Sequence, residues 1–309
     1  YKECRLITGE AISPCRIGYR TFGTLNDDKS NAVLVPTWFN GTSEDLAYLA
    51  SPELLDPKKY FIVIVDAFAN GVSISPSNSK KQPDNQFPQI SITDMVEIQH
   101  RLLTEVFGLK SLHGVVGISM GAMQTFEWVV RYPDFAGKAV AAFGSPRLPT
   151  YDIVLWTTRN LMLSLYRKCQ CEEALEAMAG MGMLGAVPSK LEQEVARETA
   201  VSAMVSQGQS RATTVGESWN EQRQAEAMIG HNIARGFNND LQQASEHIKA
   251  ELLIVLGADD RVVTPQPARE FAALVGASII ELDADCGHGD AWCAPNEFAK
   301  AVSEFINRE

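Results

Sequence analysis

Chemistry is densest around Gly117-Ile118-Ser119-Met120-Gly121. The pentapeptide follows the apolar run Leu112–Gly117 (LHGVVG) and opens the helical pattern Met120–Tyr132. A bare G-x-S-x-G is a weak signal, but strand–turn–helix context makes it strong. The serine must sit on a sharp, strained turn, and glycines two residues away on either side remove side chains that would clash. Such a turn lifts the hydroxyl above a sheet and puts the next N–H at a helix start. A serine hydroxyl is a poor nucleophile at neutral pH and needs a base within hydrogen-bond reach. The chain has five histidines. His100 lies in a helical pattern before the serine, His113 at the wrong end of its strand, and His231 and His247 in or near a long helical stretch. His288, in the loop Asp285-Cys286-Gly287-His288-Gly289-Asp290 after the last apolar run, is the candidate base.

An imidazole acting as base needs a carboxylate to fix its tautomer and stabilise its protonated form. The loop after Glu251–Gly257 reads Ala258-Asp259-Asp260-Arg261-Val262. Asp260 is preferred to Asp259, because an acid three residues after the loop glycine is the usual arrangement. Asp283 and Asp285 are too near His288 and read as turn residues. The chain order is then Ser, Asp, His, the order of α/β-hydrolases. A tetrahedral oxyanion needs two backbone N–H donors. Met120 supplies one; Phe39, in the loop Thr37-Trp38-Phe39-Asn40-Gly41, is the candidate for the other. Trp38, Arg147, Tyr151 and Trp156 are candidates for the substrate pocket, with Arg159 beside them; each also has an ordinary structural reading.

These residues must be positioned by a sheet. Short apolar runs rich in Val and Ile, bounded by turn residues, occur at Asn31–Pro36, Tyr60–Asp66, Leu112–Gly117, Lys138–Phe143, Glu251–Gly257 and Ser278–Leu282. Runs apolar on both faces suit buried parallel strands. Helical patterns at Thr93–Phe107, Met120–Tyr132, Pro267–Val275 and Asn296–Asn307 alternate with them. The alternation predicts an α/β fold, a mostly parallel sheet with helices on both faces. Arg5–Thr8 and Arg16–Phe22 predict an antiparallel start. From about Tyr151 the alternation stops. The stretch has helical periodicity, six methionines (Met162, Met178, Met181, Met183, Met204, Met228) and glycine breaks at Gly180–Gly185. The expected organisation is a core of residues 1–150 and 246–309 with a helical lid inserted at 151–245. Such an insertion tends to sit over strand ends, where ligands bind.

With 309 residues and 45% hydrophobic content, the chain can bury one large core. A net charge of −11 disfavours phosphate backbones, so no nucleic-acid partner is expected. No run of about 18 uncharged apolar residues suggests a membrane span. Cys4 and Cys15 flank a short hairpin arm, and Cys286 and Cys293 flank His288; either pair is a disulfide candidate, with free thiols as the other reading. No cysteine spacing suggests zinc, and there is no dinucleotide fingerprint or P-loop, so no cofactor or metal is expected. The first residue is Tyr1 rather than Met, which fits either a processed exported protein or a trimmed chain. The cysteine pairs tilt the expectation towards a periplasmic or secreted protein, the cytoplasm being the alternative.

Over nearly its whole length the chain resembles the homoserine acetyltransferase-like branch of the α/β-hydrolase superfamily. The likeness is carried by Tyr19–Asn31 (YRTFGTLNDDKSN), Pro36–Gly41 (PTWFNG), Asp56–Val65 (DPKKYFIVIV), Asn70–Asn78 (NGVSISPSN) and Gly117–Pro133 (GISMGAMQTFEWVVRYP). The resemblance implies a Ser-Asp-His triad at Ser119, Asp260 and His288. It implies a helical lid after Gly144-Ser145-Pro146-Arg147 and, in many members, dimers formed through that lid. Two departures stand out. Homoserine acetyltransferases carry a histidine-containing loop where this chain has PTWFNG, and a Gly-Thr-Thr-Gly-Pro stretch where it has Gly71-Val72-Ser73-Ile74-Ser75-Pro76. The arginine that binds the amino acid's carboxylate in that family has only Arg147 and Arg159 as substitutes here, without the surrounding motif. Relatives with PTW-type loops look like hydrolases of small esters.

The expected function is therefore hydrolysis of a small carboxylic ester through an acyl-enzyme on Ser119. One alternative is an O-acetyltransferase moving acetyl from acetyl-CoA to homoserine or a similar alcohol, since one triad serves both reactions. The other is a non-catalytic binding module, since a fold alone never proves activity.

Overall fold

A computed structural model describes residues 1–211 and 213–308. Among them, seven strands form one sheet in the order β3-β5-β4-β6-β7-β8-β9. These are β3 (Tyr19–Phe22), β4 (Ala32–Pro36), β5 (Phe61–Val65), β6 (Leu112–Ile118), β7 (Ala136–Ala142), β8 (Glu251–Gly257) and β9 (Ser278–Leu282). β3 pairs antiparallel with β5, with Tyr19 opposite Val65, and the remaining pairings are parallel. All six predicted apolar runs are thus strands, shifted by at most two residues. The antiparallel start splits in two. β1 (Cys4–Arg5) and β2 (Ala11–Ile12) form a separate ribbon, and only β3 joins the sheet.

Every residue of β4 and β5 is buried, as a strand covered on both faces requires. Alternation sorts them: Val33 and Val35 pack towards Phe298, Val302 and Phe305 of α11 (Pro295–Ile306). Leu34 packs on the other face, with Val96 of α1 (Ile92–Arg101) and Trp128 of α2 (Met120–Arg131). Phe126 of α2 meets Phe271 of α9 (Gln266–Val275) edge to face beside β7 and β8. The helix predicted to run to Phe107 is α-helical only to Arg101 and continues as a π-turn over Leu102–Val106. Because the central strands are parallel, the loops after Pro36, Ile118, Gly257 and Leu282 leave from one end of the sheet.

Between β7 and β8 the chain is helical: α3 (Thr150–Cys169), α4 (Glu172–Leu184), α5 (Pro188–Glu194), α6 (Ala200–Ser210), α7 (Val215–Ile229) and α8 (Leu241–Ser245). α3 packs on α4 and α7, and α4 on α6. Ile233, Ala234 and Ala244, near the end of this stretch, are buried against α2 and α9. α7 faces the core with polar side chains. Asn220 accepts from the Ser77 N–H (3.0 Å), and the Arg223 guanidinium donates to the Phe87 carbonyl (2.8 and 3.0 Å). Cys4–Cys15 and Cys286–Cys293 are paired as disulfides; a third pair, Cys169–Cys171 at the α3–α4 turn, was not anticipated. Among the described residues, no helix is long and apolar enough to cross a membrane.

Candidate active site

Ser119 joins β6 to α2 with φ 57° and ψ −121°, a left-handed conformation that is costly for any residue but glycine. Surrounding packing over-determines it. A Cβ at Gly117 would lie 2.1 Å from the Gly121 carbonyl oxygen, and one at Gly121 would lie 2.5 Å from the Pro36 oxygen. The two glycines therefore let α2 start hard against the end of β4, which fixes the serine relative to the Thr37–Gly41 loop.

His288 Nε2 lies 3.0 Å from Ser119 Oγ, and His288 Nδ1 lies 2.6 Å from Asp260 Oδ2. Asp260 is buried; Asp259 is exposed. The other oxygen of Asp260 accepts the N–H groups of Val262 (2.8 Å) and Val263 (2.9 Å), so its own loop locks the carboxylate. Burial pulls the His288 pKa down, but the Asp260 charge and hydrogen bond, with Asp152 behind them, outweigh it, and the net shift is upward. The other histidines are elsewhere. His100 stacks on Tyr132, His113 bonds the Ile306 carbonyl, His247 bonds that of Gln243, and His231 is buried, its pKa driven down to about 3 by burial and Arg235.

The Thr37–Gly41 loop is anchored on both sides of Phe39. The Thr37 N–H donates to the Val65 carbonyl (3.2 Å), and its hydroxyl accepts from the Ala67 N–H (3.0 Å). The Asn40 N–H donates to Gln224 Oε1 (2.7 Å), whose amide nitrogen donates to the Phe68 carbonyl (2.9 Å). A buried relay reaches the same loop from below. The Trp128 indole N–H donates to Gln99 (2.7 Å), Gln99 donates to Gln124 (2.6 Å), and Gln124 donates to the carbonyls of Thr37 (3.0 Å) and Met120 (3.2 Å). An indole can only donate, so each amide along the relay has one orientation. Gln124 and Trp128 are the Gln and Trp of the SMGAMQ-x-x-EW run. The Asn70–Asn78 stretch is equally cross-bonded, and Asn70 donates to the Gly41 carbonyl (3.0 Å) and to Asp66 (2.8 Å). The N–H groups of Met120 and Phe39 donate to no acceptor among the described residues.

Ser119 and His288 open into a cavity of about 320 Å³, walled by Trp38, Phe39, Trp156, Val262 and Trp292. The walls are braced: Trp38 meets Trp292 edge-on at 5.6 Å, Phe39 meets Trp156 at 4.9 Å, and the Trp156 indole donates to the Val262 carbonyl (3.3 Å). A second cavity of about 70 Å³ shares Trp156 and Val262 and adds Leu155, Arg159, Met181, Gly182 and Gly185. Of the pocket candidates, Trp38 and Trp156 line the serine's cavity; Arg147 and Tyr151 do not. Arg147 turns to the Asn239 carbonyl (3.2 Å), and Tyr151, 58% exposed, lines an outer cleft with Val154 and Leu184. Arg159 is taken by Glu221 (2.7 Å), which also holds Arg211. Sequence reasoning missed Trp292, Val262 and Gln224. It also missed Asp152, a buried carboxylate of α3 that accepts the Thr264 N–H (3.0 Å) and hydroxyl. Burial first, and the Asp260 charge after it, push Asp152 up to about 6 against the pull of Thr264 and His288.

A mostly parallel sheet, a serine on a strained strand–helix turn and a histidine after the last strand together define an α/β-hydrolase. The chain belongs to the α/β-hydrolase family described as serine aminopeptidase, S33, whose match covers residues 89–285. It is 46% identical over 149 residues to an ethyl acetate hydrolase of Pseudomonas veronii; that alignment takes in 47% of this chain and 43% of the relative. The chain thus spans less than half the length of that relative. It is 27% identical over 353 aligned positions to a homoserine O-acetyltransferase of Methanosalsum zhilinae, covering 99% of this chain and 71% of that protein. Among solved structures, an acetylester hydrolase from Corynebacterium glutamicum superposes with a TM-score of 0.88 at 27% identity, covering 99% of this chain and 94% of that one.

Proposed function

We propose that the chain hydrolyses a small, uncharged carboxylic ester through an acyl-enzyme on Ser119. The observation that carries this reading is the continuous line Ser119 Oγ–His288 Nε2 (3.0 Å) and His288 Nδ1–Asp260 Oδ2 (2.6 Å), opening into an apolar cavity. Ser119 Oγ attacks the ester carbonyl while His288 takes its proton. The tetrahedral oxyanion accepts the N–H groups of Met120 and Phe39. His288 returns the proton to the departing alcohol, then activates water, whose attack releases the carboxylic acid and frees Ser119. Asp260 holds the imidazole in the required tautomer and stabilises its cation.

A guanidinium free to reach the pocket would select a carboxylate-bearing alcohol such as homoserine; here Arg159 is held by Glu221, which it shares with Arg211, and Arg147 points away. The tryptophan walls suit a hydrocarbon arm. The helices of residues 151–245 act in this reading as a lid that excludes bulk water. Val154, Leu161 and Leu165 leave an apolar stripe exposed on α3, which suits a second copy docking lid to lid. The Cys4–Cys15 and Cys286–Cys293 disulfides favour an oxidising compartment.

Acyl release from p-nitrophenyl acetate and from acetyl-CoA, each with and without homoserine, tests the reading. Hydrolysis indifferent to homoserine and lost in Ser119→Ala supports it. Release from acetyl-CoA only when homoserine is present replaces it with acetyl transfer. Absence of turnover and of fluorophosphonate labelling at Ser119 leaves a binding module.

A further inference from the structure

We infer that Gln124 and Gln224 act as a two-sided clamp, as positioning residues that hold the Phe39 N–H in register with the Met120 N–H. The inference rests on the ester-hydrolase reading of Ser119. Both side chains are fully buried. Gln124 rises from α2, the helix that carries Met120, and donates both to the Met120 carbonyl (3.2 Å) and to Thr37 (3.0 Å), two residues before Phe39. One amide nitrogen thereby ties together the segments that present the two donors. Its orientation is fixed by Gln99 and Trp128 through bonds of 2.6 and 2.7 Å. Gln224 comes from α7, and its oxygen accepts the N–H of Asn40, one residue after Phe39 (2.7 Å). Its nitrogen donates to the Phe68 carbonyl (2.9 Å), so its orientation is also forced.

Phe39 therefore sits between a bond made by the sheet's own helix and a bond made by the inserted helices. Oxyanion stabilisation depends on donors being in place before charge develops, and displacement of about 1 Å can cost about 100-fold. The inserted helices thus complete the catalytic geometry, not only the pocket wall, and α7 must be docked before the second donor is set. Asn220 provides the contrast. It tethers the same helix to the core through Ser77 (2.8 and 3.0 Å) without touching the Thr37–Gly41 loop.

The test compares an aryl acetate with its thionoacetate, in which sulfur replaces the carbonyl oxygen. Sulfur is a weak acceptor, so the ester-to-thionoester rate ratio reports the oxyanion donors. Rates are normalised to sites labelled by fluorophosphonate, which removes unfolded protein from the comparison. Gln124→Met and Gln224→Met are expected to lower kcat for the ester by about 10- to 100-fold with KM little changed. The ratio should fall by at least about tenfold, and Asn220→Ala should keep the wild-type ratio even where it lowers Tm. Equal losses on ester and thionoester, an unchanged ratio, or a matching fall in Asn220→Ala overturns the clamp while leaving the ester-hydrolase reading intact. A wild type that is neither labelled nor active removes that reading, and the clamp with it.

Discussion

The sheet and the helical segment above it bury different kinds of residue. β4 and β5 are buried at every position and are apolar throughout. α3 buries only Asp152, Trp156 and Leu163 of its 20 residues, and α7 buries Ser218, Asn220, Glu221, Arg223 and Gln224 beside three apolar side chains. The sheet is held by contact area, which is strong but indifferent to small shifts. The helices are placed by directed polar bonds, each weak alone and informative about position. In the proposed reading this divides the labour: the sheet carries the reacting atoms, and the helices decide what reaches them.

That division is open to direct attack. The largest effect is expected at the sheet. Ser119→Ala should lower kcat by about 10⁴- to 10⁶-fold, measured on p-nitrophenyl acetate, while Tm stays level because alanine keeps the Cβ and only the hydroxyl is lost. Residual activity within tenfold of wild type would move the nucleophile elsewhere. Next comes the buried ion cluster of the helices. Glu221→Gln leaves Arg159 and Arg211 without their counter-charge, and should cost about 3 kcal/mol by denaturant unfolding. The same variant frees Arg159, so KM for an ester bearing a free carboxylate should fall. No gain for the charged ester would detach Arg159 from selectivity.

Smaller still is the junction between the two cavities. A Cβ at Gly185 would lie 3.1 Å from Val262 Cγ2, so Gly185→Leu crowds the shared wall. Preference for acetyl over hexanoyl esters should rise by about tenfold, within the range that one or two methylenes command. Equal effects on both esters would mean the second cavity takes no part. The mildest effect concerns pH. His288 must be neutral to act as base, and its pKa lies above the ordinary histidine value, so kcat/KM should fall with decreasing pH along a limb above 6.5. Asp152 adds to that upward shift. Asp152→Asn should therefore move the limb to lower pH, and a move in the opposite direction would contradict the assigned sign.

How legible each part was follows from the range of its interactions. The strands were readable because burial on both faces imposes a run, and a run is local. Ser119 was readable because the turn needs Gly117 and Gly121 beside it, and His288 and Asp260 because parallel strands deliver their loops to one end. Gln224 had no such signature: it meets Asn40 from a helix whose pattern records only that it is helical. Trp292 carries no mark in the sequence that ties it to Ser119; of the pocket candidates, Arg147 turns to the Asn239 carbonyl and Tyr151 is exposed at the start of α3. The π-turn at Leu102–Val106 was invisible because its apolar spacing continues that of α1. The SMGAMQ-x-x-EW run was recognisable as a pattern, but its reason, a hydrogen-bonded relay through Gln99, lies 25 residues away from Gln124.

The bond between Asn40 and Gln224 spans 184 residues, and that between Ser119 and His288 spans 169. A chain emerging from the ribosome presents Ser119 long before His288, and the Thr37–Gly41 loop long before Gln224. Contacts so distant along the chain close late in folding. In the proposed reading, reactivity therefore waits until His288 and α7 have both emerged and docked.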